Sequence, residues 1–433
     1  MLLKKSTLTD SVNLFSVSTD KFKTGILAFT VRIPTSPRFT PYALLLTEML
    51  QRATESYPSK VALSRRLDEL YSASVGIRTL AKGKNRIFTV TAEILDDAYS
   101  SGDVDITTEV CRLLCDILLR PLLDEDGLFP ENAFEQEKRR TAAALRSLIN
   151  NPRNYAARRL SELMHRDDPD ALTLEQTIET VEKCDRETLT EFYRSTLTCR
   201  PIDVYYVGTL SDSEISEKVT SVLGSYNATV RDELILLSGA YPEREVTYKD
   251  EKMPISQGRL AIGLSTDVCF GTDDYFSMLL FNEIFGGSPS SKLFMNVREK
   301  MSLCYSCSSQ YFSDNGCLRA MAGISPENRE IAQKAILSEL DNIKNGNISD
   351  KELISAKKAL ENSIREIYDS PIDIFDFYFS SACLGIELTI EEYISKISAL
   401  TKNDAVAAAS KVRLDSVYFL SGDGDADEED CDE

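Results

Sequence analysis

One histidine, His165, occurs in 433 residues. It stands in ELMHRDDPD, where a lone imidazole at a helix end is read as structural or solvent-exposed. No run of eighteen apolar residues occurs, which excludes a membrane-spanning helix. No basic stripe offsets the formal charge of -20, so nucleic acid is a poor partner. The opening MLLKKSTLTDSVNLFS lacks an apolar stretch long enough for export, and the expected location is the cytoplasm. The ten cysteines then read as reduced thiols. Cys111 and Cys115 share a helix face in apolar CRLLCDILL and read as buried. Cys304 and Cys307 form a lone Cys-x-x-Cys, and strand alternation would send them to opposite faces.

What is present is an order of elements that occurs twice. The length predicts two or more domains. The first half runs strand (GILAFTVRIP), helix (PYALLLTEMLQRAT), strand (NRIFTVTAEI), helix (DITTEVCRLLCDILLRPL) and a long polar helix ending in NNPRNYAARRLSELM. The second half runs GRLAIGLST, YFSMLLFNEIFGG, CLRAMAGIS, REIAQKAILSELDNIKNG and a long polar helix through YDSPIDIFDFYF. Glu48 and Glu283 are 235 residues apart, and Tyr71 and Tyr305 are 234 apart. Pro152 and Pro371 interrupt the two long helices at matching places, predicting a break in each. The fold class is α+β: two homologous halves, each a mostly antiparallel sheet covered by helices on one face. The expected boundaries are residues 1–225 and 256–422 for the halves, 226–255 for a linker and 423–433 for a disordered acidic tail. The tail's spacing lacks the terminal bidentate glutamate of a calcium loop.

The order of elements, together with GGSPSSKLFMNVREKMSLCYSCSS and the second long helix, resembles the pitrilysin/insulinase family of zinc metallopeptidases in its processing-peptidase-like form. The resemblance runs from about Lys23 to Gly422 and implies two α+β halves per chain, with two chains closing around a peptide-cleaving chamber. Active members carry His-x-x-Glu-His on the first helix. Two imidazoles four residues apart bind zinc from one helix face, and the glutamate takes a proton from the zinc-bound water. Here ALLLTEMLQRAT puts Leu44 and Glu48 at the histidine positions and Thr47 at that of the base. The stretch matching the third ligand, TAAALRS (Thr141 to Ser147), has no carboxylate. The resemblance thus implies a degenerate metal site, no cofactor in this chain, and zinc on a partner chain.

The family's other motif, Arg-Glu-Lys-x-x-x-x-Tyr-Ser, survives as REKMSLCYS. The resemblance implies that Arg298 and Tyr305 bind the substrate backbone. Arginine offers fixed donors, and a phenol supports a developing oxyanion. A surface ion pair for Arg298 and a strand position for Tyr305 are the plainer alternatives. Gly286 and Gly287, in IFGGSPSSKLF, match a substrate-handling loop and also read as a left-handed helix cap. The implied function is a non-catalytic, peptide-binding subunit of a two-chain peptidase. Its partners would be a zinc-bearing homologous subunit and a peptide or unfolded-protein substrate, with a homodimer permitted in isolation. The alternative is an inert scaffold of the same fold, tied to modification of a translation elongation factor.

Overall fold

The computed structural model describes residues 2–36, 38–82, 85–100, 104–168, 170–230, 244–383 and 386–422. The first half contains strands β1 (Lys4–Thr9), β2 (Val12–Ser18), β3 (Thr24–Pro34), β4 (Ser74–Lys82), β5 (Asn85–Leu95) and β6 (Ile202–Gly208). Its helices are α1 (Phe39–Leu50), α2 (Lys60–Glu69), α3 (Ile106–Leu119), α4 (Glu131–Arg146), α5 (Pro152–Met164), α6 (Leu174–Lys183), α7 (Arg186–Thr196) and α8 (Asp212–Leu223). The second half contains β7 (Thr247–Lys252), β8 (Gly258–Ser265), β9 (Ser306–Phe312), β10 (Cys317–Ile324) and β11 (Arg413–Ser421). Its helices are α9 (Tyr275–Asn282), α10 (Arg329–Lys344), α11 (Asp350–Glu366), α12 (Pro371–Cys383), α13 (Ile390–Ala399) and α14 (Lys402–Ser410), with π-helical turns at Glu283–Gly287 and Leu293–Lys300.

The two sheets run in the orders β1-β2-β6-β3-β5-β4 and β7-β11-β8-β10-β9. Every pairing is antiparallel except β2 with β6 and β7 with β11. The expected α+β class and two-half plan are therefore present. Within the stretch read as a linker, Thr247–Lys252 is a strand, paired in register with Ser416 to Ser421. The acidic segment 423–433 lies outside the described residues.

The compact units do not follow the linear division at residues 225 and 256. One unit comprises Met1–Leu145, Glu175–Leu236 and Arg365–Ile390; the other comprises Arg146–Leu174, Leu237–Ile364 and Glu391–Glu433. Each half therefore lends one helix to the other unit, and the prolines mark both departures. Pro152 and Pro371 each open a new helix, where the missing N–H costs nothing. Each follows a short 3-10 turn that ends the preceding helix.

In the first unit, strand alternation serves two cores. Leu27, Phe29 and Val31 of β3 face the helices of their own half, with Ile202, Val204 and Tyr206 of β6. Ile26, Ala28, Tyr205 and Val207 face the opposite way, onto Ile374, Phe375, Tyr378 and Phe379 of α12. There Tyr205 stacks on Phe15, with ring centroids 4.7 Å apart, and meets Phe375 edge-on at 5.5 Å. In the second unit, Leu260, Ile262 and Leu264 of β8 join Leu318, Ala320 and Ala322 of β10 in the main core. Gly263 points to the other face and lets α5 approach. A side-chain carbon there would lie 2.6 Å from the Met164 sulfur.

Candidate functional site

In the first unit, Leu44, Thr47 and Glu48 fall on one part-exposed face of α1, as their i, i+3, i+4 spacing requires. Ala43, Leu45, Leu46, Met49 and Leu50 point into the core. Thr47 Oγ1 donates to the Ala43 carbonyl at 2.7 Å, a bond back to its own helix. The Glu48 carboxylate lies 3.5 Å from Arg140 Nη1 on α4. One turn earlier on α4, Glu137 is buried, with Arg52 Nη1 at 2.5 Å, Lys60 Nζ at 3.2 Å and Arg140 Nη1 at 3.6 Å. Three cations thus surround one buried carboxylate beside the position where the resemblance would put a metal.

These residues do not fit zinc. No imidazole reaches α1, the only histidine lies in the other unit, and Glu48 already faces a guanidinium. Among the described residues, no group of three histidine, cysteine, aspartate or glutamate side chains converges as a metal site. Glu137 was not singled out from the sequence. Its signal lay in the dense charges of EQEKRR, read there as a polar helix face. His165 is held within the second unit by Nδ1 to the Ser161 carbonyl at 2.7 Å and Nε2 to the Asn315 side chain at 3.2 Å.

Arg298 stands on the π-helical turn Leu293–Lys300 of the second unit. Its Nε donates to the backbone carbonyl of Tyr305 at 2.9 Å. Its guanidinium carbon lies 4.5 Å from the centre of the Phe294 ring, and Nη1 meets Glu299 at 2.9 Å. Tyr305 is anchored through its backbone N–H to the Gly323 carbonyl, while the residue as a whole is 69% exposed. Among the described residues, nothing bonds the phenol or Arg298 Nη2. Tyr305 precedes β9 and is not a strand residue; Tyr71 of the first half sits in a turn at φ +59°.

Two sequence expectations are corrected here. Neither Gly286 nor Gly287 adopts a left-handed backbone, so neither is a left-handed cap. Gly286 is required by contact: a side-chain carbon would lie 2.5 Å from the Ser309 nitrogen on β9 and 2.8 Å from Leu293. Asn282, just before, accepts from Ser309 Oγ at 2.8 Å, and burial raises the Glu283 carboxyl above its ordinary range. Cys304 and Cys307 do not point to opposite faces. Both are buried in one core, because β9 begins only at Ser306 and strand alternation does not reach Cys304. A hydrogen bond with Cys307, joined by the Arg298 charge, outweighs burial and holds the Cys304 thiol below its ordinary range; the same hydrogen bond and burial push Cys307 up. Burial is the main cause of the raised thiols of Cys111 and Cys115, which share the inner face of α3 as expected.

Residues 183–360 match the family described as the peptidase M16 inactive domain. The chain is 31% identical over 408 residues to a probable inactive metalloprotease, YmfF, of Bacillus subtilis, covering 94% of this chain and 95% of that one. It is 24% identical over 326 residues to an uncharacterized zinc protease, YmxG, of the same organism, covering 75% and 78%. Among solved structures, a conserved protein from Enterococcus faecalis superposes with a TM-score of 0.89 at 27% identity, over 99% of this chain and 100% of that one. No described helix is long and apolar enough to cross a membrane.

Proposed function

The chain belongs to the pitrilysin-type M16 metallopeptidase family as an inactive member, and from that premise we propose that it is the non-catalytic, peptide-binding subunit of a two-chain peptidase. In this reading a homologous partner carries His-x-x-Glu-His and the zinc. This chain carries no cofactor and holds the backbone of a peptide or unfolded protein, in the cytoplasm.

The supporting observation is the asymmetry of the Arg298–Tyr305 pair. Nε and the ring contact with Phe294 fix the plane of the guanidinium, while Nη2 and the neighbouring phenol stay without partners among the described residues. A planar donor fixed in advance loses little rotamer freedom on binding. A phenol beside it can donate to a peptide carbonyl as its oxygen gains charge.

The test is co-purification with a homologous chain bearing the intact zinc motif, followed by metal analysis and peptide turnover. The expected complex holds zinc in proportion to the partner alone, and turnover needs both chains. A partner that cleaves peptides equally well without this chain refutes the reading. It would leave the inert scaffold, with its tie to elongation-factor modification, as the account to pursue. In isolation the chain is free to form a homodimer, since the same surface would meet its own copy.

A further inference from the structure

Three arginines of the second unit gather on the side where α5 covers the sheet, and among the described residues none has an acidic partner. Register pairs Arg259 of β8 with Gly323 of β10, and Arg319 of β10 with Gly263 of β8. Side chains two and four residues apart on a strand share a face, so both guanidiniums rise on the side that α5 covers. Arg319 Nη1 reaches the Ala157 carbonyl of α5 at 3.4 Å and stacks on Phe312, 4.4 Å from the ring centre. Arg153 stands in the first turn of α5, one turn before Ala157.

Arg259 Nε is buried without a hydrogen-bond partner, and Nη1 is held by Gln257. Among the described residues none of the three meets a carboxylate, in a chain whose net charge is -20. Burial, and then the charge of Arg153, lowers both Arg259 and Arg319 from the ordinary arginine value. The N-terminus of α5 adds potential of the same sign. Like charges gathered on one face repel, and an anion placed among them removes that cost.

The cluster adjoins the pair described above. A side-chain carbon at Gly323 would lie 2.5 Å from Arg259 Nη1 and 3.2 Å from the Ser306 hydroxyl, and Ser306 follows Tyr305 directly. We propose that Arg153, Arg259 and Arg319 form a subsite for the acidic side chains of a peptide whose backbone is held at Arg298 and Tyr305. Guanidinium forks match carboxylates geometrically, so glutamate and aspartate residues are the fitting ligands. The location of this subsite along a bound peptide rests on the peptide-binding reading; its charge does not.

The experiment uses the full chain and a short labelled peptide with two central glutamates, set against its glutamine counterpart. At low salt the acidic peptide should bind about tenfold tighter or more, as charge-assisted pairs imply. R153Q and R259Q should each shrink that ratio without changing the glutamine peptide, while R298A weakens both peptides by one factor. Equal affinities for the two peptides in the wild type overturn the subsite and leave peptide binding standing. If neither peptide binds, the peptide reading fails, and poly-glutamate decides the rest. A thermal shift that R153Q or R259Q removes supports the subsite; no shift overturns it. The chain's own acidic segment, 423–433, follows β11, whose Leu420 pairs with Arg259. A full-length variant with those acids changed to amides closes the test. A glutamate preference seen only there would assign the anion to that segment and overturn the assignment to a bound peptide.

Discussion

Arg140 brings a guanidinium nitrogen to 3.5 Å from the Glu48 carboxylate, so the protein supplies its own cation on the face of α1 where relatives with activity would place a metal. The neighbouring Glu137 binds the same arginine but differs in burial: it is 1% exposed, whereas Glu48 is more than a third exposed. Burial decides which of the two carboxylates matters for stability. Removing Glu48 in E48Q loses a solvent-screened pair and should cost no more than about 1 kcal/mol. E137A removes the buried carboxylate shared by Arg52 and Lys60 and should cost about 1.5–3 kcal/mol, the range for hydrogen bonds to charged groups, since the cations left behind reach solvent and Arg52 keeps Gln136. Urea unfolding midpoints of the two variants check the contrast, and equal midpoints would refute it.

In the reconstituted pair, Tyr305→Phe removes one donor while leaving the backbone bond from Arg298 to the Tyr305 carbonyl in place. Turnover should fall on the order of 10²-fold, as when a single transition-state donor is lost, with the larger effect in kcat. Arg298→Ala removes both the donor and the support of the Tyr305 carbonyl, so it should act at least as strongly. Phe294→Leu keeps the donors but frees the guanidinium plane, and should raise KM more than it lowers kcat. Steady-state kinetics with zinc content held equal separates these cases. Unchanged rates for both Arg298→Ala and Tyr305→Phe would remove the pair from substrate binding.

Two glycines that pack against other elements should respond differently to alanine. At Gly286 the added carbon meets the Ser309 backbone, which cannot step aside without disturbing β9. G286A should therefore cost about 1–3 kcal/mol, the range for overpacking. At Gly263 the obstacle is the flexible thioether of Met164, which can take another rotamer. G263A should cost less, and thermal melts of the two variants should rank accordingly. A G286A protein as stable as wild type would mean that the turn Glu283–Gly287 and β9 do not pack this closely in solution.

The sequence carried the repeat, the two proline breaks and the loss of the imidazoles, because each is a local signal: an order of elements, a ring that removes an N–H, a residue type. It did not carry the exchange of α5 and α12 between units. Nothing in PRNYAARRLSELM says which sheet its apolar stripe will cover, and only Gly263 opposite Met164 records the partner. The left-handed reading of Gly286 failed for a related reason. A glycine required by positive φ and one required by close approach look alike in sequence. Arg298 and Tyr305 were singled out through a motif, but the phenylalanine four residues before Arg298, one helical turn away, carried no such mark. The cation cluster around Glu137 and the arginines of β8 and β10 involve residues distant in the chain, and charges on a polar helix or strand carry no mark of their partners.

Glu251 of β7 ties the lent helix to its sheet, and acid should loosen it. Its carboxylate accepts from Tyr155 at 2.6 Å and Tyr418 at 2.9 Å, with Arg159 at 3.3 Å. Burial opposes ionisation there, but the two phenols and the Arg159 charge outweigh it and hold the carboxyl below its ordinary range. A carboxyl depressed in the folded state binds its proton more weakly there than in the unfolded chain. Its stabilisation is thus complete above the unfolded value, near 4.3, and is lost as pH falls through the folded value. In E251Q that acid-dependent component disappears: one phenol keeps a carbonyl acceptor, and the other, which bonded the second carboxylate oxygen, meets the amide NH2 instead. Melting temperatures of wild type and E251Q should lie apart at neutral pH and converge as the pH is taken below 4.3. Parallel curves across that window would show that Glu251 titrates alike in both states and that its phenol bonds do not set the attachment of α5 to β7.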